Sequence, residues 1–183
     1  VYDEFLTALK TRAAGIIIGD PLDPTSEMGP MATQTQLTLV ERMVATALAQ
    51  GAELIHGGKR AAVAGDGWYF EPTILAVDDN QCSIMQKEVF GPVASIMRFK
   101  DEAEALALAN DTEFGLAGYI QGELSHAQEV AKKIRAGQIT INGGARGSSA
   151  PFGGYKTSGN GREHGVHGID ECLEIKAVII PVG

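Results

Sequence analysis

The strongest constraint on the fold is the regular alternation between Val93 and Asn142. Val93–Phe99, Leu116–Ile120 and Gln138–Asn142 are short apolar runs rich in β-branched residues, the pattern of buried strands. Two helix starts separate them. Asp101 stands three residues before Glu104, and Ser125 three before Gln128, each with capping-box spacing. The first opens a helix through Ala109. The second opens a helix whose stripe Val130, Ala131 and Ile134 ends at Gly137. Such alternation predicts parallel strands joined by right-handed crossovers. The fold class is therefore α/β, an open, mainly parallel sheet with flanking helices. Ligands of these sheets sit beyond the carboxyl ends of the strands, which draws attention to Asn142 and the loop after it.

Upstream, the chain begins inside an amphipathic helix whose stripe is Phe5, Leu6 and Leu9. Ile16–Ile18 predicts a short extended segment, and Asp20–Pro30, with three prolines, a surface loop. Thr33 is placed to cap a helix with Leu37, Val40, Val44 and Ala47 on its apolar side, stopping at Gly51. Glu53–Ile55 reads as a short strand and Ala61–Gly67 as a hairpin or loop. Trp68–Ala76 is strand-like, but Pro72 demotes it to an edge or a break.

Composition narrows the class of function. With 23 acidic and 15 basic residues the formal charge is −8, and no basic block appears, so nucleic acid and anionic membranes are not expected partners. No apolar run is long enough to span a bilayer. Cys82 and Cys172 make no disulfide framework and suit a reducing, cytoplasmic setting. Neither has the electropositive surroundings of a reactive thiolate. His164 and His167 have no evident third ligand, so no metal site is predicted.

Two stretches carry candidate chemistry. In Lys87–Pro92, Glu88 stands two residues from Phe90, and Pro92 bars a helical Gly91. If Glu88–Phe90 is extended, carboxylate and ring share a face and can hold a ribose diol and a flat heterocycle. The alternative is an ordinary loop with a solvated glutamate. The second stretch, Gly143–Gly161, is long, rich in Gly and Ser, and contains Phe152 and Tyr155. A loop of this length in a compact domain is usually functional or disordered.

Glu88-Val89-Phe90-Gly91-Pro92 resembles the cofactor-contacting signature of the NAD(P)-dependent aldehyde dehydrogenases. Pro151-Phe152-Gly153-Gly154-Tyr155-Lys156-Thr157-Ser158-Gly159-Asn160-Gly161-Arg162-Glu163 resembles a second signature, and Gly19–Pro24 followed by Met28-Gly29-Pro30 a third. Their order and spacing agree, and the resemblance covers essentially all 183 residues. It implies a reaction in which a cysteine thiolate attacks an aldehyde, hydride passes from the thiohemiacetal to NAD or NADP, and water hydrolyses the thioester to a carboxylic acid. The family's Tyr-Asp-x-Phe segment, matched at Tyr2–Phe5, lies beyond the catalytic cysteine. The resemblance therefore implies that nucleophile, glutamate base and Rossmann half precede Val1, and that this chain alone is inactive.

Carried over by position, Glu88 binds the nicotinamide ribose hydroxyls, Phe90 packs near the nicotinamide ring, and Phe152 lines the aldehyde pocket. Glu163 matches a carboxylate implicated in a proton relay. An ion pair with Arg162 or Lys156 is the structural alternative. Arg146, in the variable stretch before Pro151, is a candidate contact for an acidic substrate tail. The strand-like Glu171–Val182 has Leu173, Ile175, Ala177 and Ile179 on one face. The resemblance implies a β arm that assembles homodimers or homotetramers; a strand of the chain's own sheet is the other reading. Residues 1–168 would then be the later part of a catalytic domain and 169–183 the oligomerisation arm. A non-catalytic interaction module of the same fold is the alternative function.

Overall fold

The computed structural model describes residues 1–63 and 66–181. The chain forms two compact units, Val1–Lys100 and the part from Asp101 onward.

The first unit is built on one helix and one central strand. Helix α1 spans Tyr2–Ala14 and α2 spans Gln34–Ala49. Thr33 caps α2 from an extended backbone, its hydroxyl accepting from the Gln36 amide at 3.1 Å, and Gly51 beyond the helix takes φ +98°. The expected stripe is the buried one: Leu37, Val40, Val44 and Ala47 are almost wholly excluded from solvent. Leu37, Val40 and Val44 cluster with Phe70, while Ala47 packs in a second cluster with Leu75, Val77, Cys82 and Ile84. The sheet runs β1 (Glu53–His56), β2 (Thr73–Ala76), β3 (Val93–Ile96), with a short helix α3 (Ser83–Gln86) before β3. β1 pairs antiparallel with β2, and β2 pairs parallel with β3.

Two local expectations shift. Pro72 marks a break but not an edge: β2 begins one residue later and is the middle strand of its sheet. A proline just outside the ladder removes no ladder donor, and the next amide, of Thr73, donates to Pro92 O at 2.8 Å. Ile16–Ile18 forms only a single bridge, Ile18 with Met28. Of the Ala61–Gly67 loop, Ala64 and Gly65 lie outside the described residues.

The second unit contains α4 (Glu102–Asn110), β4 (Ala117–Ile120), α5 (Leu124–Ala131), β5 (Gln138–Ile141), a 3-10 turn at Lys156–Ser158 and α6 (Gly165–Asp170). β4 and β5 pair in parallel from Ala117/Gln138 to Ile120/Ile141. Asp101 caps α4 as its spacing predicts, accepting from the Glu104 amide at 2.9 Å. The cap of α5 is different. Glu123, not Ser125, accepts from the Ser125 and His126 amides, and the Ser125 hydroxyl donates to the same carboxylate at 2.7 Å. A glutamate placed two residues before the serine wins because its longer side chain reaches both free amides while the serine reinforces it. That carboxyl is held down to about 2, chiefly by the Ser125 hydroxyl and then by the two amides.

The architecture is thus α/β, with parallel strand pairs and flanking helices. The segment after α6 makes no ladder within the chain over its described residues, 171–181, and Val182 of the expected arm lies outside them. Leu173, Ile175, Val178, Ile179 and Ile180 are all exposed, Ile175 and Ile179 almost completely. The reading as a strand of the chain's own sheet therefore finds no support in that segment.

Candidate functional site

The first candidate region is the turn from α3 into β3. Its entrance is capped at long range. Gln50 Oε1, from the end of α2, accepts from the Ser83 amide at 2.9 Å, the Ser83 hydroxyl at 2.7 Å and the Cys82 thiol at 3.3 Å. Lys87 then leaves α3 in an extended conformation. The exit is held from the other end of the same helix. Gln36 Nε2 donates to both Val89 O and Phe90 O, each at 2.9 Å.

An extended Glu88–Phe90 is not what forms. Phe90 has φ +51°, in the left-handed region that a bulky side chain seldom occupies. Two consecutive carbonyls can converge on one donor only if the chain turns between them. Gly91 then runs so close to α2 that a Cβ there would lie 2.6 Å from Val40 Cγ2. The alternation of exposure nevertheless survives. Val89 packs on the core, while Glu88 and Phe90 stand in solvent, Phe90 with 77% of its surface exposed. Glu88 makes no ion pair among the described residues. An unpaired carboxylate and a bare aromatic ring, on a strained turn tied down from behind, are suited to a polar ligand carrying a diol and a flat ring.

The second region lies in the other unit. Phe152 and Glu163 exchange backbone hydrogen bonds at 2.8 and 2.7 Å in an isolated antiparallel bridge, so the long loop folds back on itself. Several residues fasten it. Lys156 Nζ donates to Asn110 O and Thr112 O at 2.8 Å, Thr157 reaches Glu113 O through amide and hydroxyl, and the Tyr155 amide donates to Gly115 O. Gly137 passes so near the loop that a Cβ would land on the Gly153 carbonyl oxygen. The result is an open groove of about 390 Å³ with Leu116, Phe152, Arg162, Glu163 and Glu171 among its lining.

Phe152 is half-buried between two neighbours. The Arg146 guanidinium carbon lies 5.0 Å from its ring centroid and the His164 ring meets it edge-on at 6.5 Å. Arg146, expected to face an acidic substrate tail, is stacked on Phe152. The suggested ion pair of Glu163 does not form among the described residues: Arg162 donates to Gly154 O and Gly161 O, and Lys156 is engaged as above. The Glu163 side chain is exposed at the groove. Asn142, at the carboxyl end of β5, takes φ +51° and forms a two-bond clamp with Gly122 at 2.8 and 2.9 Å. Its amide is spent on structure. Cys82 is buried, and Cys172 is exposed beyond α6.

Three positions escaped sequence reasoning: Gln36, Gln50 and Glu123. The first two act on residues 32 to 54 positions away, a separation that leaves no local pattern. Glu123 left a signal in its spacing to Ser125 and His126, outweighed by the more familiar serine cap.

The family model described as the aldehyde dehydrogenase family matches residues 1–178. A 3-succinoylsemialdehyde-pyridine dehydrogenase from Pseudomonas is 45% identical over 166 residues, covering 90% of this chain and 35% of that protein. Among solved structures, the Mycobacterium tuberculosis aldehyde dehydrogenase in complex with NAD+ superposes with a TM-score of 0.93 at 37% identity, over 100% of this chain and 38% of its own. A mutant of aldehyde dehydrogenase C from Pseudomonas syringae, in complex with NAD+ and octanal, gives 0.93 at 39% identity, over 99% and 38%. The chain spans a little over a third of the length of these relatives. With the family model matched along nearly its whole length and the fold shared, this chain belongs to the aldehyde dehydrogenase family.

Proposed function

We propose that the protein carrying this chain oxidises an aldehyde to a carboxylic acid with NAD(P)+, through a cysteine thiohemiacetal and thioester. The observation that carries this reading is the turn at Glu88–Phe90, where an unpaired carboxylate and an exposed ring are presented together by a fixed backbone. Glu88 is suited to accept two hydrogen bonds from a ribose diol, and Phe90 to pack on the nicotinamide ring. The relatives solved with NAD+ support that ligand class. The cofactor, when bound, supplies the hydride acceptor. The chain's own residues orient and enclose. Phe152 and its groove are suited to form a wall for the aldehyde, and Glu163, exposed at that groove and without an ion pair among the described residues, is suited to pass a proton.

In this reading residues 1–168 complete a catalytic domain and 169–183 form the assembly arm of a cytoplasmic homodimer or homotetramer. The free thiols of Cys82 and Cys172 suit that compartment, and among the described residues no helix is long and apolar enough to cross a membrane. The nucleophile belongs to another part of the protein, since buried Cys82 is enclosed in the core and Cys172 lies beyond α6. The 183-residue chain alone is therefore expected to be inactive.

The test is steady-state kinetics of the full-length protein with Glu88→Gln. The amide keeps the shape but loses the charged acceptor, so the KM for NAD(P)+ should rise by about ten- to a hundredfold while the aldehyde KM barely moves. An unchanged cofactor KM removes the central support. A second reading, a non-catalytic assembly module, rests on the exposed apolar segment Leu173–Ile180. Concentration-dependent mass by light scattering, without aldehyde oxidation by the full-length protein, would favour it.

A further inference from the structure

The turn bearing Glu88 and Phe90 is held at both ends by one helix, through two glutamines used in opposite senses. At the exit, Gln36 acts only as a donor: its Nε2 serves the Val89 and Phe90 carbonyls at 2.9 Å each. At the entrance, Gln50 acts only as an acceptor: its Oε1 takes the Ser83 amide, the Ser83 hydroxyl and the Cys82 thiol. The partners fix both amide orientations, because a carbonyl cannot donate and a backbone amide cannot accept. The two glutamines are 14 residues apart, about 21 Å along a helix axis. That helix is anchored in the core by Leu37, Val40, Val44 and Ala47.

The segment between the clamps has little regular structure of its own, although Cys82 and Ile84 are buried and Val89 packs on the core. Helix α3 is one turn long, too short to be stable in isolation. Its N-terminus gains no hydrogen bond from the Cys82 side chain to its amides, so Gln50 supplies the missing acceptor. Phe90 sits in a left-handed conformation that its side chain disfavours. Released from Gln36, Phe90 would relax toward negative φ, swinging Glu88 and the ring relative to each other.

We infer that Gln36 and Gln50 are positioning residues that make α2 a splint for the cofactor-contacting turn, Gln36 by donating to the Val89 and Phe90 carbonyls and Gln50 by capping α3. The inference rests on the reading of Glu88 and Phe90 as cofactor contacts. It predicts an asymmetry that a general packing role would not produce. Gln→Glu replaces the donor amine with an oxygen but keeps the acceptor, so the same substitution breaks one clamp and preserves the other.

The experiment compares Gln36→Glu, Gln50→Glu and Gln50→Leu in the full-length protein. Cofactor KM, aldehyde KM and kcat are measured, with amide hydrogen exchange over 82–91 and over Thr73–Ala76. Gln36→Glu should raise the cofactor KM about tenfold or more and speed exchange at 88–91, leaving the buried β2 amides and the aldehyde KM near wild type. Gln50→Leu should act in the same direction, while Gln50→Glu restores a cofactor KM within about twofold of wild type. A wild-type cofactor KM in Gln36→Glu overturns the inference, as does equal damage from Gln50→Glu and Gln50→Leu. If Gln36→Glu fails to fold, the Gln50 pair decides alone. Failure of the wild-type protein itself to use NAD(P)+ is a separate outcome, and it overturns the functional reading beneath.

Discussion

Gly91→Ala offers the sharpest test of how the Glu88–Phe90 turn is seated. The added methyl would lie 2.6 Å from Val40 Cγ2, whereas carbon atoms in contact settle at about 3.5 to 4.0 Å. The shortfall is roughly 1 Å. Val40 cannot give way easily, since it is fully buried in the cluster with Leu37, Val44 and Phe70. Gly91 has no positive φ, so alanine introduces overlap without left-handed strain. Overpacking of this kind costs about 1–3 kcal/mol. Val40→Ala alone removes two buried methyls and should cost roughly 2–3 kcal/mol, transfer and cavity together. The informative species is the double variant. Once Val40 loses its γ carbons, the nearest atom of that residue is its Cβ, 3.7 Å from the new methyl, an ordinary contact. The double variant should then be no less stable than Val40→Ala, a favourable coupling of about 1–3 kcal/mol. Urea unfolding gives the numbers, with coincident fluorescence and circular dichroism transitions as the check on two-state behaviour. Additivity within about 0.5 kcal/mol would refute the argument that Gly91 is required by its closeness to Val40.

Other expectations are briefer. Ser125→Ala removes the largest stabiliser of the Glu123 carboxylate, so its pKa should climb from about 2 toward its ordinary value of 4.5, read by NMR titration. The sign is that of a depressed acid: its contribution to α5 is complete above about pH 4.5 and fades as the pH falls toward 2. A titration midpoint unchanged by the substitution contradicts the assignment. Asn142→Ala breaks both bonds to Gly122 and leaves alanine at positive φ, for a loss of about 1–3 kcal/mol. Asn142→Gly should lose less, because glycine accepts that φ freely; equal losses would show that the backbone conformation carries no weight. Lys156→Met should loosen the loop around Phe152 by removing two bonds to Asn110 O and Thr112 O, raising the aldehyde KM more than the cofactor KM. The reverse order of effects would detach that loop from the aldehyde.

What the residues alone determined was the part written in local periodicity. The α2 stripe, its Thr33 cap and Gly51 stop, the Asp101 cap and the three later strands all follow from spacing, because helix and strand impose fixed repeats on burial. The signature stretches added the family, since three motifs in a fixed order and spacing are far more specific than any one of them, and the family model matches residues 1–178. Tertiary structure decided the rest. Pro72 proved to border a central strand, because what matters is which amide a ladder needs. Phe90 turned left-handed because Gln36, 53 and 54 residues from its two acceptors, offers one donor to two carbonyls. Glu123 displaced Ser125 because reach to two amides outweighs residue preference. Each of these outcomes depends on a partner that the fold brings near and that the neighbouring sequence does not contain.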